Sequence, residues 1–346
     1  DDDATNSDAR ARLHAANIDI ADRMLGNGHI GHNKFVVYVD PAGTPRRVLT
    51  GSTNWTPTGL CSQTNNLLTI ESEAVAGQYL AYWKALRDDG AAQAAALRIR
   101  SRTRLPAVDL GPGKGSIQVW FSPNTEAASK PARNAATPVD LQEVFELIGG
   151  AQRGVLFLAF IPGRPSIVTE LHRVYKDKLA QGTRLFVRGA ATDTAPAAEF
   201  KVDLFHRTMR SDASVTSVAG INDAFSYWQR ELSKLGHAVI HDKIVVVDPF
   251  TENCAVITGS HNLGFKASYA NDENLLIIRG NRAIAEAYTA HVLDVYDHFR
   301  WRYRLQEANR SGHLEQAWQD LDETDAWQDK YFVGDHLASA DLLFWS

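Results

Sequence analysis

The chain has 346 residues, of which 44% are hydrophobic and 22% charged, and its formal net charge is −5. With only two cysteines, Cys61 and Cys254, it is not a disulfide-rich scaffold, and we expect both to be free thiols. The acidic balance gives no general attraction to nucleic acid, and no apolar run approaches the length that spans a bilayer. This length predicts two domains or one double-sized domain.

The first 99 residues predict a short α/β unit. It begins with a helical pattern, continues through a strand, a turn and a Gly-Ser pair, and closes with another strand and an aromatic-rich helix. The helices are expected at 8–25 and 76–89, and the strands at 35–39 and 65–72. The next segment, 100–115, contains Pro and several Gly residues and is interpreted as a linker.

A longer unit follows at 116–305, where strands alternate with helices. This alternation indicates an α/β sheet covered on both faces. The predicted strands are 116–123, 155–161, 184–189 and 273–280, and the predicted helices are 140–151, 166–182, 221–236 and 284–299. The remaining 306–346 are acidic and aromatic, and we expect them to pack on the core as a tail.

The two units contain the same polar pattern, which indicates an internal duplication. "HNKFVVYVD…GSTN" in the first corresponds to "HDKIVVVD…GSHN" in the second, at an offset of 209 residues that becomes 208 within the strand. The flanks "NNLLTIES" and "ENLLIIRG" also match. The corresponding pairs are His32 with His241, Lys34 with Lys243, Asp40 with Asp248, Ser52 with Ser260, and Asn54 with Asn262.

Paired imidazoles suit the cleavage of a phosphodiester in two displacements. Imidazole is a nucleophile that is neutral near pH 7, and a second imidazole can protonate the departing oxygen. Lys, Ser and Asn supply donors to the non-bridging oxygens. In each motif the His and the Lys lie two residues apart on a strand, so both side chains point to the same face.

The two motifs resemble the paired HKD motifs of the phospholipase D superfamily. The resemblance covers about 8–90 and 116–305, and "FSP" at 121–123 is similar to the family's usual domain start. It implies two similar α/β halves that face each other across a pseudo-twofold axis, with the active site at their interface. It also implies a phosphohistidine intermediate, resolved by water or an alcohol, without a metal or other cofactor.

The resemblance implies a role for each matched residue. His32 is expected to be the nucleophile, because the first His usually has this role in relatives with both motifs on one chain, and His241 the acid and then the base. Lys34, Lys243, Asn54 and Asn262 would hold the phosphate, and Ser52 and Ser260 would donate to it or to neighbouring side chains. Asp40 and Asp248 are expected to be structural.

The first motif departs from the family pattern at two positions. Five residues separate Lys34 from Asp40, instead of four, so we expect Asp40 to lie beyond a β-bulge. The family often has an acidic residue that orients the His; the second repeat offers Glu273, whereas the first has Asn65. We expect Glu273 to support His241, and a carboxylate-backed imidazole holds its proton more firmly, which fits a proton donor.

The sequence leaves three functions open. The first is a phospholipase D-type hydrolase or transphosphatidylase acting on a phospholipid, with peripheral contact to a membrane. The alternative is a metal-independent nuclease, for which the arginines of 44–48 and 153–164 could line a local basic rim. A catalytically silent scaffold is disfavoured, because both motifs are complete. Trp55 is expected either at the cleft or in the core.

The first repeat is much shorter than the second ahead of its His. It has 31 residues there, whereas the second has about 125 from residue 116. We expect an upstream segment or another chain to supply the corresponding strands, since a sheet edge needs a partner or cover. A secreted or periplasmic location is slightly favoured over a cytoplasmic one.

Overall fold

The computed structural model describes residues 6–23, 25–26, 28–90, 92–126, 135–163, 165–192, 215–217, 240–313, 324–332 and 339–346. The helix predicted at 221–236 lies outside these residues, as does Arg164 of the predicted basic rim.

A small antiparallel sheet forms the first repeat. Its strands lie in the order β2-β3-β4, with Phe35 opposite Thr50 and Gly51 opposite Leu67. The register shifts between Tyr38 and Val39, so the additional residue ahead of Asp40 forms the predicted bulge. The elements of this part are α1 (Ser7–Ala15), β1 (Ile30–Gly31), β2 (Phe35–Val39), β3 (Pro45–Gly51), α2 (Pro57–Cys61), β4 (Leu67–Ile70) and α3 (Glu73–Asp89).

Helix α1 is shorter than the sequence predicts. The helix expected at 8–25 ends at Ala15, and Asn17 has a left-handed φ of 54°. The backbone N–H of Ala16 donates to Arg12, that of Asn17 to His14, and that of Ile18 to Leu13. Asn accepts the left-handed conformation more readily than most residues, and it closes helices in this way.

The segment predicted as a plain linker contains regular structure. Helix α4 (Ala95–Arg102) enters it, and β5 (Val108–Asp109) pairs antiparallel with β6 (Ser116–Ser122). Leu97 of α4 is buried in the core. The Pro and Gly residues of 106–115 therefore border an edge strand of the larger sheet.

The larger sheet has nine strands among the described residues and is mixed. Its order is β5-β6-β12-β11-β10-β7-β8-β9, with β1 also paired to β12, and the β7–β8 and β8–β9 pairs are parallel. This arrangement, with helices on the sheet, confirms the α/β class. The remaining elements are α5 (Val139–Gly150), β7 (Gly154–Ala159), α6 (Ile167–Ala180), β8 (Phe186–Ala191), β9 (Val215–Ser217), β10 (Ile244–Val247), β11 (Ala255–Gly259), α7 (Phe265–Ala270), β12 (Asn271–Arg279) and α8 (Arg282–Arg310).

The described part of the tail packs on the larger sheet. It consists of a 3₁₀ turn (Asp325–Gln328), α9 (Asp329–Phe332) and α10 (Ser339–Trp345). Phe344 is fully buried and stacks on Phe186 with ring centroids 4.0 Å apart. Cys61 is exposed and Cys254 is buried, and both are free thiols, as predicted. No helix in the described ranges is both long and apolar enough to cross a membrane.

The two sheets share one hydrophobic core. Val48 and Tyr79 of the first repeat belong to the same buried cluster as Val246 and Leu276 of the second. A second cluster lies on the opposite face of the larger sheet, beneath α5 and α6. The larger sheet is therefore covered on both faces. The shared core fixes the position of β3 and β4 relative to β12, and the predicted site residues lie at the ends of these strands.

Candidate active site

Each histidine of the repeated motif is held by the strand of the other repeat. The segment ahead of His32 pairs in parallel with β12, and the N–H of His32 donates to the carbonyl of Asp272 over 3.0 Å. The segment ahead of His241 forms a parallel bridge at Thr64, whose carbonyl accepts the N–H of His241 over 3.0 Å. The two motifs thus cross at the interface of the repeats.

This crossing brings the two imidazoles together and determines which residue orients each ring. The ring centroids of His32 and His241 are 6.5 Å apart. His32 Nδ1 lies 2.7 Å from Glu273 Oε2, and His241 Nδ1 lies 2.9 Å from Asn65 Oδ1. The expectation that Glu273 supports His241 is therefore wrong. Each ring contacts the orienting residue of the other repeat, because the segment ahead of each histidine pairs with the other repeat.

The hydrogen-bond partners determine the tautomer of both rings. Burial raises the pKa of Glu273, but the charge of His32 and its hydrogen bond outweigh burial and lower it below the usual value, so the carboxylate is ionised and accepts. The Asn65 amide is fixed, since its Nδ2 donates to Gly59 and its Oδ1 accepts from Ser52 Oγ. Both imidazoles consequently donate from Nδ1, which leaves Nε2 for a substrate.

Two buried lysines lie beside the imidazoles. Lys34 Nζ donates to the carbonyl of His32 over 2.6 Å, and Lys243 Nζ donates to the carbonyl of His241. Burial lowers the pKa of Lys34 to about 8, partly opposed by the charge of Glu273. Burial and the charge of Lys34 lower the pKa of Lys243 well below its usual value.

The same crowding acts on His241. Burial, then the charges of Lys243, Lys34 and His32, lower the pKa of its imidazole to about 3. Cationic groups gathered in a space shielded from water repel each other, and an anion between them relieves this repulsion. The site is accordingly prepared for a negatively charged ligand.

The serines of the Gly-Ser pairs stabilise the loops that carry the orienting residues. Ser52 Oγ donates to Asn65 Oδ1 over 2.9 Å and accepts from the N–H of Asn66. Ser260 Oγ accepts from the N–H of Asn274 over 2.9 Å and from its side-chain amide over 3.2 Å. Both hydroxyls therefore engage neighbouring protein groups, which is one of the two roles that the sequence leaves open for them.

The motif asparagines Asn54 and Asn262 follow these serines by two residues. Both are half-buried, and Asn262 Oδ1 is a buried atom that has no hydrogen-bond partner among the described residues. Their expected contact with phosphate remains a prediction.

Two further asparagines link the repeats reciprocally, and the sequence reasoning missed them. Asn274 of the second repeat binds a Thr and a Tyr of the first, and Asn66 of the first binds the equivalent pair of the second. The distances are 2.8 Å from Thr50 Oγ1 and 3.0 Å from Tyr79 Oη to Asn274 Oδ1, and 2.8 Å from Asn66 Nδ2 to Thr258 Oγ1 and 3.0 Å to Tyr288 Oη. The signal was present, since each pair recurs at the motif's offset of 208 or 209.

The motif aspartates hold backbone turns at the ends of their strands. Asp40 closes the β2–β3 turn by accepting from the N–H groups of Ala42 and Thr44. Asp248, at the end of β10, accepts three backbone N–H groups of 152–154, at 2.7 to 2.9 Å. Neither aspartate has a recorded contact with a motif histidine.

The residues between each His and Lys differ in charge. Asn33 Nδ2 donates to Tyr82 Oη over 3.2 Å in the first repeat. In the second, the fully buried Asp242 lies 3.2 Å from His291 Nε2, and this hydrogen bond and the charge of Asp242 raise the pKa of His291 although burial opposes them. The first repeat therefore has a neutral pair where the second has an ionisable one.

The remaining histidines near the motifs have structural contacts. His29 Nδ1 lies 3.2 Å from the carbonyl of Ala270, and the buried His261 contacts Ser268 and Asp140. Within the described part of the chain, no group of three or more His, Cys, Asp or Glu side chains is arranged to hold a metal ion.

The second motif lies within a segment that matches a known family. Residues 193–294 match the family described as "Cardiolipin synthase, PLD-like domain". The chain contains a phospholipase D-like domain. The residues of the second motif lie in this phospholipase D-like segment, namely His241, Lys243, Ser260 and Asn262. The segment also includes Glu273, which contacts His32 of the first motif. No curated protein matches the sequence.

Several solved structures are similar to the chain that carries this phospholipase D-like domain. Phosphatidylserine synthase from Haemophilus influenzae Rd KW20 is 13% identical, with 83% of this chain and 69% of that chain covered and a TM-score of 0.47. The phospholipase D family member Nuc from Salmonella typhimurium is 19% identical, with 51% and 91% covered and a TM-score of 0.28. NucT from Helicobacter pylori is 15% identical, with 44% and 87% covered and a TM-score of 0.30.

Proposed function

We propose that the protein is a phosphodiester hydrolase or transferase of phospholipase D type. The observation that carries this proposal is the pair of imidazoles at 6.5 Å, each oriented through Nδ1 and flanked by a buried lysine. Near-attack distances are about 3 to 3.5 Å, and the 6.5 Å between the ring centroids is close to the sum of two such approaches to one phosphorus. The lysines would neutralise its non-bridging oxygens.

In the first step, His32 Nε2 attacks the phosphorus and the bond to the leaving alcohol breaks. The protonated His241 gives its proton to the departing oxygen. In the second step, neutral His241 takes a proton from water or an alcohol, whose oxygen attacks the phosphorus and displaces His32. Atoms and charge balance without a further reactant.

We assign the nucleophile to His32, as the resemblance implies, but for a different electrostatic reason. A phosphorylated imidazole carries a positive charge that the ionised Glu273 stabilises, whereas Asn65 offers His241 only a neutral amide. Burial and the neighbouring cationic charges lower the pKa of His241, and the bound phosphate anion offsets those charges, so the imidazole takes up the proton that it then gives to the leaving oxygen.

Trapping the phosphoenzyme tests this assignment. With a substrate labelled at phosphorus and carrying a good leaving group, His241→Asn quenched in alkaline denaturant, in which a phosphohistidine is stable, should retain label, because the second step lacks its base. His32→Asn should retain none. Label on His32→Asn and none on His241→Asn would reverse the roles.

We infer that the substrate is a phospholipid, because three of the arginines that could line a nucleic-acid groove lie away from the site. Arg46 and Arg47 begin β3, about 16 Å from the site end of that strand, and they pair with carboxylates of Asp40, Glu73 and Glu71. Arg153 precedes β7, whereas Phe160, at the other end of β7, packs on His241. Arg46, Arg47 and Arg153 therefore lie away from the site, and Arg164, the remaining arginine of 153–164, lies outside the described residues.

A paired assay tests the substrate. Wild type and a His32→Asn/His241→Asn control receive phosphatidylcholine vesicles or single-stranded DNA, with a chelator present. Choline release by wild type alone supports the proposal. Cleavage of DNA alone favours the nuclease, and turnover of neither substrate contradicts both functions.

We also infer that the two repeats are related by a pseudo-twofold axis. The reciprocal bonds of Asn66 and Asn274, and of Thr64 and Asp272 with the two histidines, support this. The units would be 1–99 and 116–305. Superposing an experimental structure's β2–β4 on β10–β12 would test it: a rotation far from 180° contradicts the axis.

A further inference from the structure

Three exposed apolar side chains lie beside the candidate active site. Trp55 is 54% exposed, Leu60 61% and Ile161 43%. They come from two segments far apart in the sequence, the loop and helix after the first Gly-Ser-x-Asn and the loop after β7. Trp55 is therefore outside the core. We call these three residues the apolar rim.

Each member of the apolar rim directly follows, in the sequence, a residue of the candidate site or a residue that contacts it. Leu60 follows Gly59, whose carbonyl binds the Asn65 amide that orients His241. Ile161 follows Phe160, whose ring centroid is 5.1 Å from that of His241. Trp55 follows the motif residue Asn54 directly. Leu60 of the first repeat and Ile161 of the second are therefore each one residue away from a group that supports or packs on His241.

The segments that carry the apolar rim contain few charges. No Asp, Glu, Lys or Arg occurs in 54–66 or 159–163, and Arg164 is the first charged residue after Ile161. Single exposed apolar residues are ordinary on protein surfaces, as Ile99 shows on α4. Three of them in segments that also carry site residues, with a tryptophan among them, are typical instead of a contact with an apolar or interfacial partner.

We propose that the apolar rim inserts into a zwitterionic phospholipid surface and brings the lipid head group to the two histidines. This proposal rests on the proposed function and names the physical form of its substrate. Tryptophan favours the boundary between head groups and acyl chains, and shallow insertion needs no spanning helix. A neutral rim on a chain of net charge −5 gains nothing from anionic lipids, so a zwitterionic surface fits best.

Binding is measured first, in a His32→Asn background that does not consume the vesicles. Sedimentation with phosphatidylcholine vesicles compares this chain with Trp55→Ser, Leu60→Ser and Ile161→Ser, singly and combined. Ile99→Ser is the matched control, because Ile99 is 62% exposed and lies on another element. We expect each rim variant to partition several-fold less and the combination at least 100-fold less, with the control unchanged.

Turnover is measured second, with the catalytic histidines intact. The ratio of vesicle hydrolysis to hydrolysis of soluble bis(p-nitrophenyl) phosphate should fall at least tenfold in the triple variant and remain at the wild-type ratio in Ile99→Ser. Circular dichroism and thermal unfolding identify a variant that fails to fold, and the single variants then replace the triple one.

The outcomes separate the apolar rim from the proposed function. The rim proposal is wrong if the rim variants bind vesicles as well as the parent chain does. It is also wrong if the parent chain does not bind vesicles. If the triple variant instead loses binding to single-stranded DNA, the rim stacks bases and the lipid proposal is wrong. Rim-dependent vesicle binding without hydrolysis of any diester supports the rim while the proposed function fails.

Discussion

The two repeats carry the same motif residues and differ in what supports them. In the second repeat, β10 and β11 are buried on both faces, between the shared core and the helices α5 and α6. In the first, β2 lies at the edge of a three-stranded sheet, and Val36 and Tyr38 on its outer face are exposed. Paired chemistry therefore does not need equal scaffolds, because each motif is held by the other repeat.

The ionisable supporting groups come from the second repeat. Glu273 and Asp242 belong to it, whereas the equivalent positions of the first repeat are Asn65 and Asn33. The crossing then delivers the carboxylate of the second repeat to the histidine of the first. This difference between the repeats, rather than their likeness, distinguishes the two imidazoles, and substitutions can test it.

The largest expected effect is on turnover in Glu273→Gln. The amide removes the charge that stabilises a phosphorylated His32 and favours the wrong tautomer, so kcat should fall by a factor on the order of 10³. Asn65→Ala, the matched change on the other ring, should cost only about tenfold, because it removes a neutral partner. Steady-state kinetics on a soluble diester measures both, and equal losses would contradict the asymmetry.

A large effect on stability is expected at the motif aspartates. Asp248→Ala leaves three backbone N–H groups at the start of β7 without their acceptor, and should lower the free energy of unfolding by about 3 kcal/mol. Asp40→Ala affects an exposed turn and should cost far less. Urea unfolding compares them. Similar losses of unfolding free energy in the two variants would mean that Asp40 stabilises its turn as much as Asp248 stabilises the start of β7.

The buried His241 should make stability depend on pH. Its pKa is about 3 when folded and about 6.5 when unfolded, so only the unfolded chain takes up its proton between these values. Stability therefore falls as the pH falls through this window, by about 2 kcal/mol between pH 6.5 and 5. Urea unfolding of wild type and His241→Asn at pH 7 and pH 5 measures the contribution of His241 to this loss of stability. An identical loss in both proteins would show that His241 does not contribute.

The sequence was sufficient for the parts of the fold and site that repeat. The α/β class, the strands around both motifs and the bulge ahead of Asp40 follow from periodicity and from the change of offset. These features are local, since a strand or a bulge reflects its own residues and its immediate neighbours.

Pairing across the repeats could not be read in the same way. Glu273 follows the motif of His241 in the sequence, so assigning it to that ring was natural and wrong. Which strand a segment crosses to is decided by the shared core, which the local pattern does not encode. The end of α1 was missed for a related reason, because "AAN" continues a helical pattern until Asn17 turns left-handed.

The smallest expected effect concerns the reciprocal hydrogen bonds. Thr258→Val removes an acceptor, so one N–H of Asn66 loses its partner in a buried place, which should cost about 1.5 kcal/mol. Thr50→Val removes a donor, but Asn274 Oδ1 still accepts from Tyr79, so the cost should be about 0.5 kcal/mol. Urea unfolding with a common m-value resolves this difference. Equal costs would mean that leaving an N–H of Asn66 unpaired in the first repeat destabilises the protein no more than removing one of the two donors to Asn274 in the second. The two repeats would then be equivalent at their interface although their scaffolds differ.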